Sequence, residues 1–103
     1  MKVFLIYGGK SAEHDISILT AHSIVKEIYY NYYHVIPVYI TRNGEWIQGE
    51  TLLEPVKYSD FLRLTPGDTK QMALEKDQQS TGIIISPDEV NSDDAVIFPV
   101  LHG

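Results

Sequence analysis

An apolar run, Val3-Phe4-Leu5-Ile6-Tyr7, stops at Gly8-Gly9 and gives way to a pattern of helical period. A strand that feeds a glycine turn and then a helix leaves few folds open. β-Branched and aromatic residues without polar alternation read as a strand buried on both faces, the mark of a parallel sheet. Beyond the turn, Ile18, Ala21, Val25 and Ile28 recur at helical spacing, and Leu19 and Ile24 widen the stripe. The pattern predicts a helix from about Ala12 to Tyr29 or Tyr30, with Ser11 as N-cap, Glu13 in the first turn and Asn31 as the stop.

The rest of the chain repeats the alternation of strand and connection. His34–Thr41 reads as a second strand, and Pro37 inside it points to an edge or a bulge. Arg42-Asn43-Gly44-Glu45 is a hairpin turn signal, with Trp46-Ile47-Gln48 as the return strand. Residues 49–80 are polar and broken by Pro55, Pro66 and Gly67, an excursion with one or two short helices. Gly82–Ser86 is a brief β-branched run, and Asp93–Leu101 holds the last strand. The fold class expected is α/β: a small open, mostly parallel sheet with flanking helices and a β-hairpin insertion. The strands at 2–7 and 95–101 would lie near its centre. As parallel neighbours they would bring the loops after Tyr7 and Leu101 to one edge, where open α/β sheets bind ligands.

Composition narrows the function classes. At 103 residues the chain is one domain, 1–103. A formal net charge of −6 argues against a nucleic-acid surface, which needs a basic patch. No stretch approaches the ~18 apolar residues of a membrane span, and the first apolar run is too short for a signal peptide. With no cysteine there is neither a disulfide framework nor thiolate chemistry, which suits a reducing cytoplasm.

The glycine turn matches neither common nucleotide fingerprint. Counted from Gly8, the later glycine positions of G-x-G-x-x-G hold Lys10 and Glu13; counted from Gly9, they hold Ser11 and His14. A P-loop is excluded because the first glycine and its four-residue spacer are missing. Glu13 has two readings: a first-turn acid complementing the helix dipole, or a carboxylate facing a cationic group such as an amine. His102, beside Gly103 at a strand's carboxyl end, is either a loop histidine or a donor to a carboxylate or phosphate oxygen. His14 and His22 read as exposed helix residues, two turns apart and too far from each other to share a metal ion. His34 reads as structural. Tyr29, Tyr30, Tyr32 and Tyr33 cap the core, with a dimer contact as the alternative.

Two motifs together carry a resemblance. Gly8-Gly9-Lys10-Ser11-Ala12-Glu13-His14-Asp15-Ile16-Ser17 resembles the N-terminal motif of D-alanine–D-alanine ligases. Phe98-Pro99-Val100-Leu101-His102-Gly103 resembles the start of that family's second motif, and the hairpin and excursion resemble its longer bacterial members. The resemblance covers the whole chain but only the family's N-terminal domain, the Rossmann-like domain that precedes an ATP-grasp module. It implies an enzyme that joins two D-alanines, with ATP and Mg2+, through an acyl phosphate, for the peptidoglycan of the bacterial cell wall. Glu13 matches the acid that fixes the first D-alanine's ammonium group. His102 matches the histidine beside the reacting carboxylate and phosphoryl group, where it positions and stabilises developing charge. Ser11, Ile16 and Gly103 match positions of loop geometry and pocket wall.

The residues for ATP, Mg2+ and the second substrate would all lie beyond Gly103. The chain is therefore expected to bind neither ATP nor metal by itself and to show no turnover. Its expected partners are D-alanine, the remainder of the ligase chain and a second copy in a homodimer, in the cytoplasm, without nucleic acid or membrane. Two other readings remain open: a stand-alone amino-acid-binding or dimerisation module, and the N-terminal domain of another ATP-grasp carboxylate–amine ligase.

Overall fold

A computed structural model describes residues 1–67, 81–90 and 95–100. The strands are β1 (Lys2–Gly8), β2 (His34–Ile40), β3 (Trp46–Gly49), β4 (Thr65–Pro66), β5 (Thr81–Ile85) and β6 (Ala95–Val100). The α-helix among the described residues is α1 (His14–Glu27), joined by 3₁₀ turns at Ser59–Leu62 and Pro87–Glu89.

The six strands form one open sheet in the order β4-β5-β3-β2-β1-β6. β1 runs parallel to both β2 and β6, β4 runs parallel to β5, and β3 is antiparallel to β2 and β5. The α/β architecture agrees with the sequence; the sheet is mixed, with a parallel trio at one side. β1 is the interior strand of that trio. β6 lies outside it, at the edge of the described sheet and not near its centre.

β1 and β2 are buried almost throughout because both faces of the sheet are covered. On one face Leu5, Tyr7, Val35, Tyr39 and Ile47 meet Ile18, Ala21 and Val25 of α1. On the other, Phe4, Ile6, Ile36, Val38, Ile40 and Ile85 pack under Trp46, Val90 and Ala95. Successive strand residues point to opposite faces, so an unbroken apolar run supplies both layers.

Pro37 lies at a bulge, one of the two readings the sequence offered: on the β3 side the pairing shifts by one residue between Val38↔Gln48 and the Val35↔Leu52 bridge, although β2 has neighbours on both sides. Val35 accepts from the Leu52 N–H, and the Thr41 N–H donates to Glu45, both on the β3 side. Pro37, in phase with both, turns its nitrogen to that side. The β2–β3 ladder ends at Val38↔Gln48, one rung before the N–H that proline lacks would be used. The hairpin is as expected: Gly44 has φ +90°, and its N–H donates to the Thr41 carbonyl at 2.9 Å.

α1 is shorter than its sequence pattern at both ends. It starts at His14 with Glu13 as N-cap, so Ser11 is not the cap; its Oγ accepts the Glu13 N–H at 3.1 Å and shapes the turn ahead of the helix. It ends at Glu27, and the Tyr30 hydroxyl donates to the Val25 carbonyl at 2.6 Å, satisfying a last-turn acceptor. Leu19 is exposed, because a helix advances about 100° per residue and Ile18 already faces the sheet. Tyr30 and Tyr33 pack on the core, whereas Tyr29 and Tyr32 are exposed. The excursion returns to the core through Leu62 and Leu64. Among the described residues no helix is long and apolar enough to cross a membrane.

Candidate functional site

The carboxyl ends of β1, β2 and β6 lie at one edge of the sheet, with Gly8 opposite Ile40 and Tyr7 opposite Val100. The loop Gly9–Glu13 leaves β1 at that edge. Gly8 and Gly9 both have positive φ, +94° and +108°, a region that side chains with a Cβ rarely enter. A Cβ on Gly8 would also collide with the Ile40 carbonyl oxygen. That same oxygen accepts the Gly9 N–H at 2.8 Å, so the glycine pair folds tightly over the end of β2.

Glu13 closes this loop as the residue before α1 and is half-buried. Among the described residues its carboxylate makes no hydrogen bond or ion pair. Its neighbour Asp15 is instead paired, to Arg42 at 3.0 Å and Arg63 at 3.1 Å. The hydrogen bond from Arg63, more than the nearby charge of Arg42, holds the Asp15 carboxyl below its usual range. Asp15 thus ties α1 to the connections after β2 and before β4, whereas the Glu13 carboxylate is unpaired among the described residues.

The turn rests on a buried polar support that the sequence reading missed. His14, read as exposed, is 1% exposed. Its Nδ1 lies 2.6 Å from the Gly9 carbonyl and its Nε2 2.9 Å from the Tyr39 hydroxyl. A carbonyl only accepts, so Nδ1 carries a proton toward Gly9, while the Tyr39 hydroxyl, able to donate or accept, completes the hydrogen bond at Nε2. Tyr7, beside Tyr39, donates to the Leu62 carbonyl at 2.6 Å, and burial pushes its hydroxyl pKa well up. Ser17, fully buried, accepts the Gly8 N–H at 2.9 Å and donates to the Val100 carbonyl. A signal for both was present: 14, 17, 18, 21 and 25 form one helical stripe, and its first two members are polar.

Of the other expected site residues, Ser11 is half-buried beneath the turn and Ile16 is 49% exposed in the first turn of α1. His102 and Gly103 lie outside the described residues. The parallel pairing of β1 with β6, on which their meeting with Glu13 was argued, is present up to Tyr7↔Val100. Among the described residues no group of three or more His, Asp or Glu side chains is placed to hold a metal ion.

A parallel trio with a glycine turn at its carboxyl edge, and beside it an acid unpaired among the described residues, places the chain in the open-sheet α/β class, in which that edge is where ligands bind. The family model described as "D-ala D-ala ligase N-terminus" matches residues 2–103, and the chain belongs to that family. It is 45% identical, over its whole length, to a D-alanine--D-alanine ligase of Enterococcus gallinarum, and 43% identical to that of Enterococcus faecalis. It spans 29% and 28% of those relatives. Among solved structures it is similar to VanG D-Ala:D-Ser ligase from Enterococcus faecalis, with TM-score 0.59 and 25% identity, covering 99% of this chain and 29% of that one. It also shares its fold with the D-alanine-D-alanine ligase from Coxiella burnetii, at TM-score 0.61 and 22% identity, covering 100% and 29%.

Proposed function

We propose that this chain forms the first-substrate wall of an ATP-dependent D-alanine–D-alanine ligase, with Glu13 receiving the ammonium group of the first D-alanine. The observation that carries this reading is the half-buried Glu13 carboxylate, unpaired among the described residues, at the carboxyl edge of the parallel trio. A charge-assisted hydrogen bond from an ammonium is the partner such a group lacks. The His14 and Ser17 supports hold the turn before substrate arrives, so little ordering opposes binding.

His102, two residues beyond Val100 in sequence, is the candidate for the opposite side of the reacting carboxylate, and Gly103 for the loop that follows. Ser11 shapes the turn that presents Glu13, and Ile16 is the candidate wall residue. We assign ATP and Mg2+ to the remainder of the ligase chain, since this chain spans under a third of its relatives and its described residues do not fit a metal site. Turnover belongs to the whole enzyme. We place that enzyme in the cytoplasm, as a homodimer supplying the dipeptide for peptidoglycan.

The test is D-alanine-dependent phosphate release from ATP by the whole ligase, with Glu13→Gln beside the unaltered protein. Loss of a hydrogen bond to a charged group is worth about 1.5–3 kcal/mol, so the KM for the first D-alanine should rise by roughly 10- to 100-fold. An unchanged KM would remove Glu13 from the site.

A further inference from the structure

We infer that Ser17 is a positioning residue for this site, a hydroxyl clamp from α1 that bridges the ends of β1 and β6 where the two loops depart. This rests on the proposal that Glu13 meets the substrate at that edge. The β1–β6 register places each β1 residue opposite the one 93 positions later, ending at Tyr7↔Val100. In a parallel ladder the next rung would run from the Gly8 N–H to the Val100 carbonyl. The backbone phase agrees: Gly9 donates toward β2, so Gly8 donates toward β6.

The Ser17 hydroxyl joins that rung from α1, accepting from Gly8 and donating to Val100. Both strand ends are thereby tied to the helix through one oxygen. Ser17 is completely buried, and its own N–H donates to the Glu13 carbonyl at 2.9 Å. One side chain therefore couples the turn that bears Glu13, the end of β1 and the end of β6. An alanine there unties both strand ends from α1, which shifts Glu13 against the end of β6. Small misplacements carry large kinetic effects when groups must converge on one substrate.

The experiment compares the whole ligase with Ser17→Ala, Ser17→Thr and Val25→Ala. Val25 is equally buried in α1 but has no hydroxyl to bridge the strand ends, so its variant reports general loosening. We expect Ser17→Ala to raise the KM for D-alanine about tenfold while the KM for ATP stays within about twofold. Ser17→Thr, which keeps the hydroxyl, should recover most of the loss. A crystal structure of Ser17→Ala should show the ends of β1 and β6 displaced from α1. A D-alanine KM that is unchanged, or that rises together with the ATP KM as in Val25→Ala, overturns the inference. So does a Ser17→Ala structure with the strand ends unmoved. If the unaltered enzyme shows no D-alanine-dependent phosphate release, the ligase reading fails instead, and the displacement of the strand ends from α1 in the Ser17→Ala structure still decides the clamp. Should Ser17→Ala not fold, Ser17→Cys, whose thiol is a weaker hydrogen-bonding group, gives the same two readouts.

Discussion

Replacing Gly8 by alanine should be far more damaging than the same change at Gly44, although both have φ near +90°. The left-handed backbone costs a residue with a Cβ about 1–2 kcal/mol at either position. At Gly44 the new methyl meets the far end of the Lys10 side chain, an exposed group that swings away. At Gly8 it meets the Ile40 carbonyl oxygen, and two Tyr39 ring carbons at 3.1 Å. The carbonyl is backbone, already holding the Gly9 N–H, and Tyr39 is held by His14. Overpacking of a fixed core adds about 1–3 kcal/mol, and the weakened hydrogen bond about 1 kcal/mol. The expected losses are about 1–2 kcal/mol for Gly44→Ala and about 3–6 kcal/mol for Gly8→Ala. Against a domain stability of about 5–15 kcal/mol, the second brings the chain close to unfolding. Urea titration followed by the fluorescence of Trp46, the lone tryptophan, measures both. With m of about 1–3 kcal/mol/M, the Gly8→Ala midpoint should lie about 1 M or more below that of Gly44→Ala. Equal midpoints would refute the argument that the turn is locked against the end of β2.

Tyr7→Phe should cost about 1–3 kcal/mol, because the buried Leu62 carbonyl loses its donor; limited proteolysis should then cut the segment around residues 50–67 sooner. His14→Phe keeps a ring but strips the Gly9 carbonyl and Tyr39 hydroxyl of partners, and should lower the thermal midpoint by roughly 5 °C or more by calorimetry. The folded pKa of Asp15 lies below its unfolded value through the Arg63 hydrogen bond, so its stabilising contribution is present above about pH 4 and lost as pH falls through the folded pKa. In acid titrations of stability, Asp15→Asn should remove that component, and added salt should weaken it in the unaltered chain.

The parts of the fold legible in the sequence are those where one periodicity acts alone. The unbroken run from Val3 gave a buried parallel strand, the Asn43-Gly44 pair gave the hairpin, and Ile18, Ala21 and Val25 gave the helix face. Pro37 was legible as an edge or a bulge, but which of the two depends on the side its nitrogen faces, a tertiary fact. Leu62 and Leu64 are buried from within a polar excursion whose pattern is too short to show a face. The place of Glu13 after the turn was legible, although it is the N-cap and not a first-turn residue. His14 and Ser17 were not, since polar residues are expected outside unless the hydrogen bonds that bury them are known.

The central claim is that the Glu13 carboxylate receives the first substrate's ammonium group. The most direct measurement is a crystal structure of the whole ligase with D-alanine bound. The account predicts a Glu13 carboxylate oxygen about 2.7–2.9 Å from the D-alanine nitrogen, at the carboxyl edge of β1. A D-alanine whose ammonium group is held elsewhere, with Glu13 paired to a cation of the protein, would contradict it.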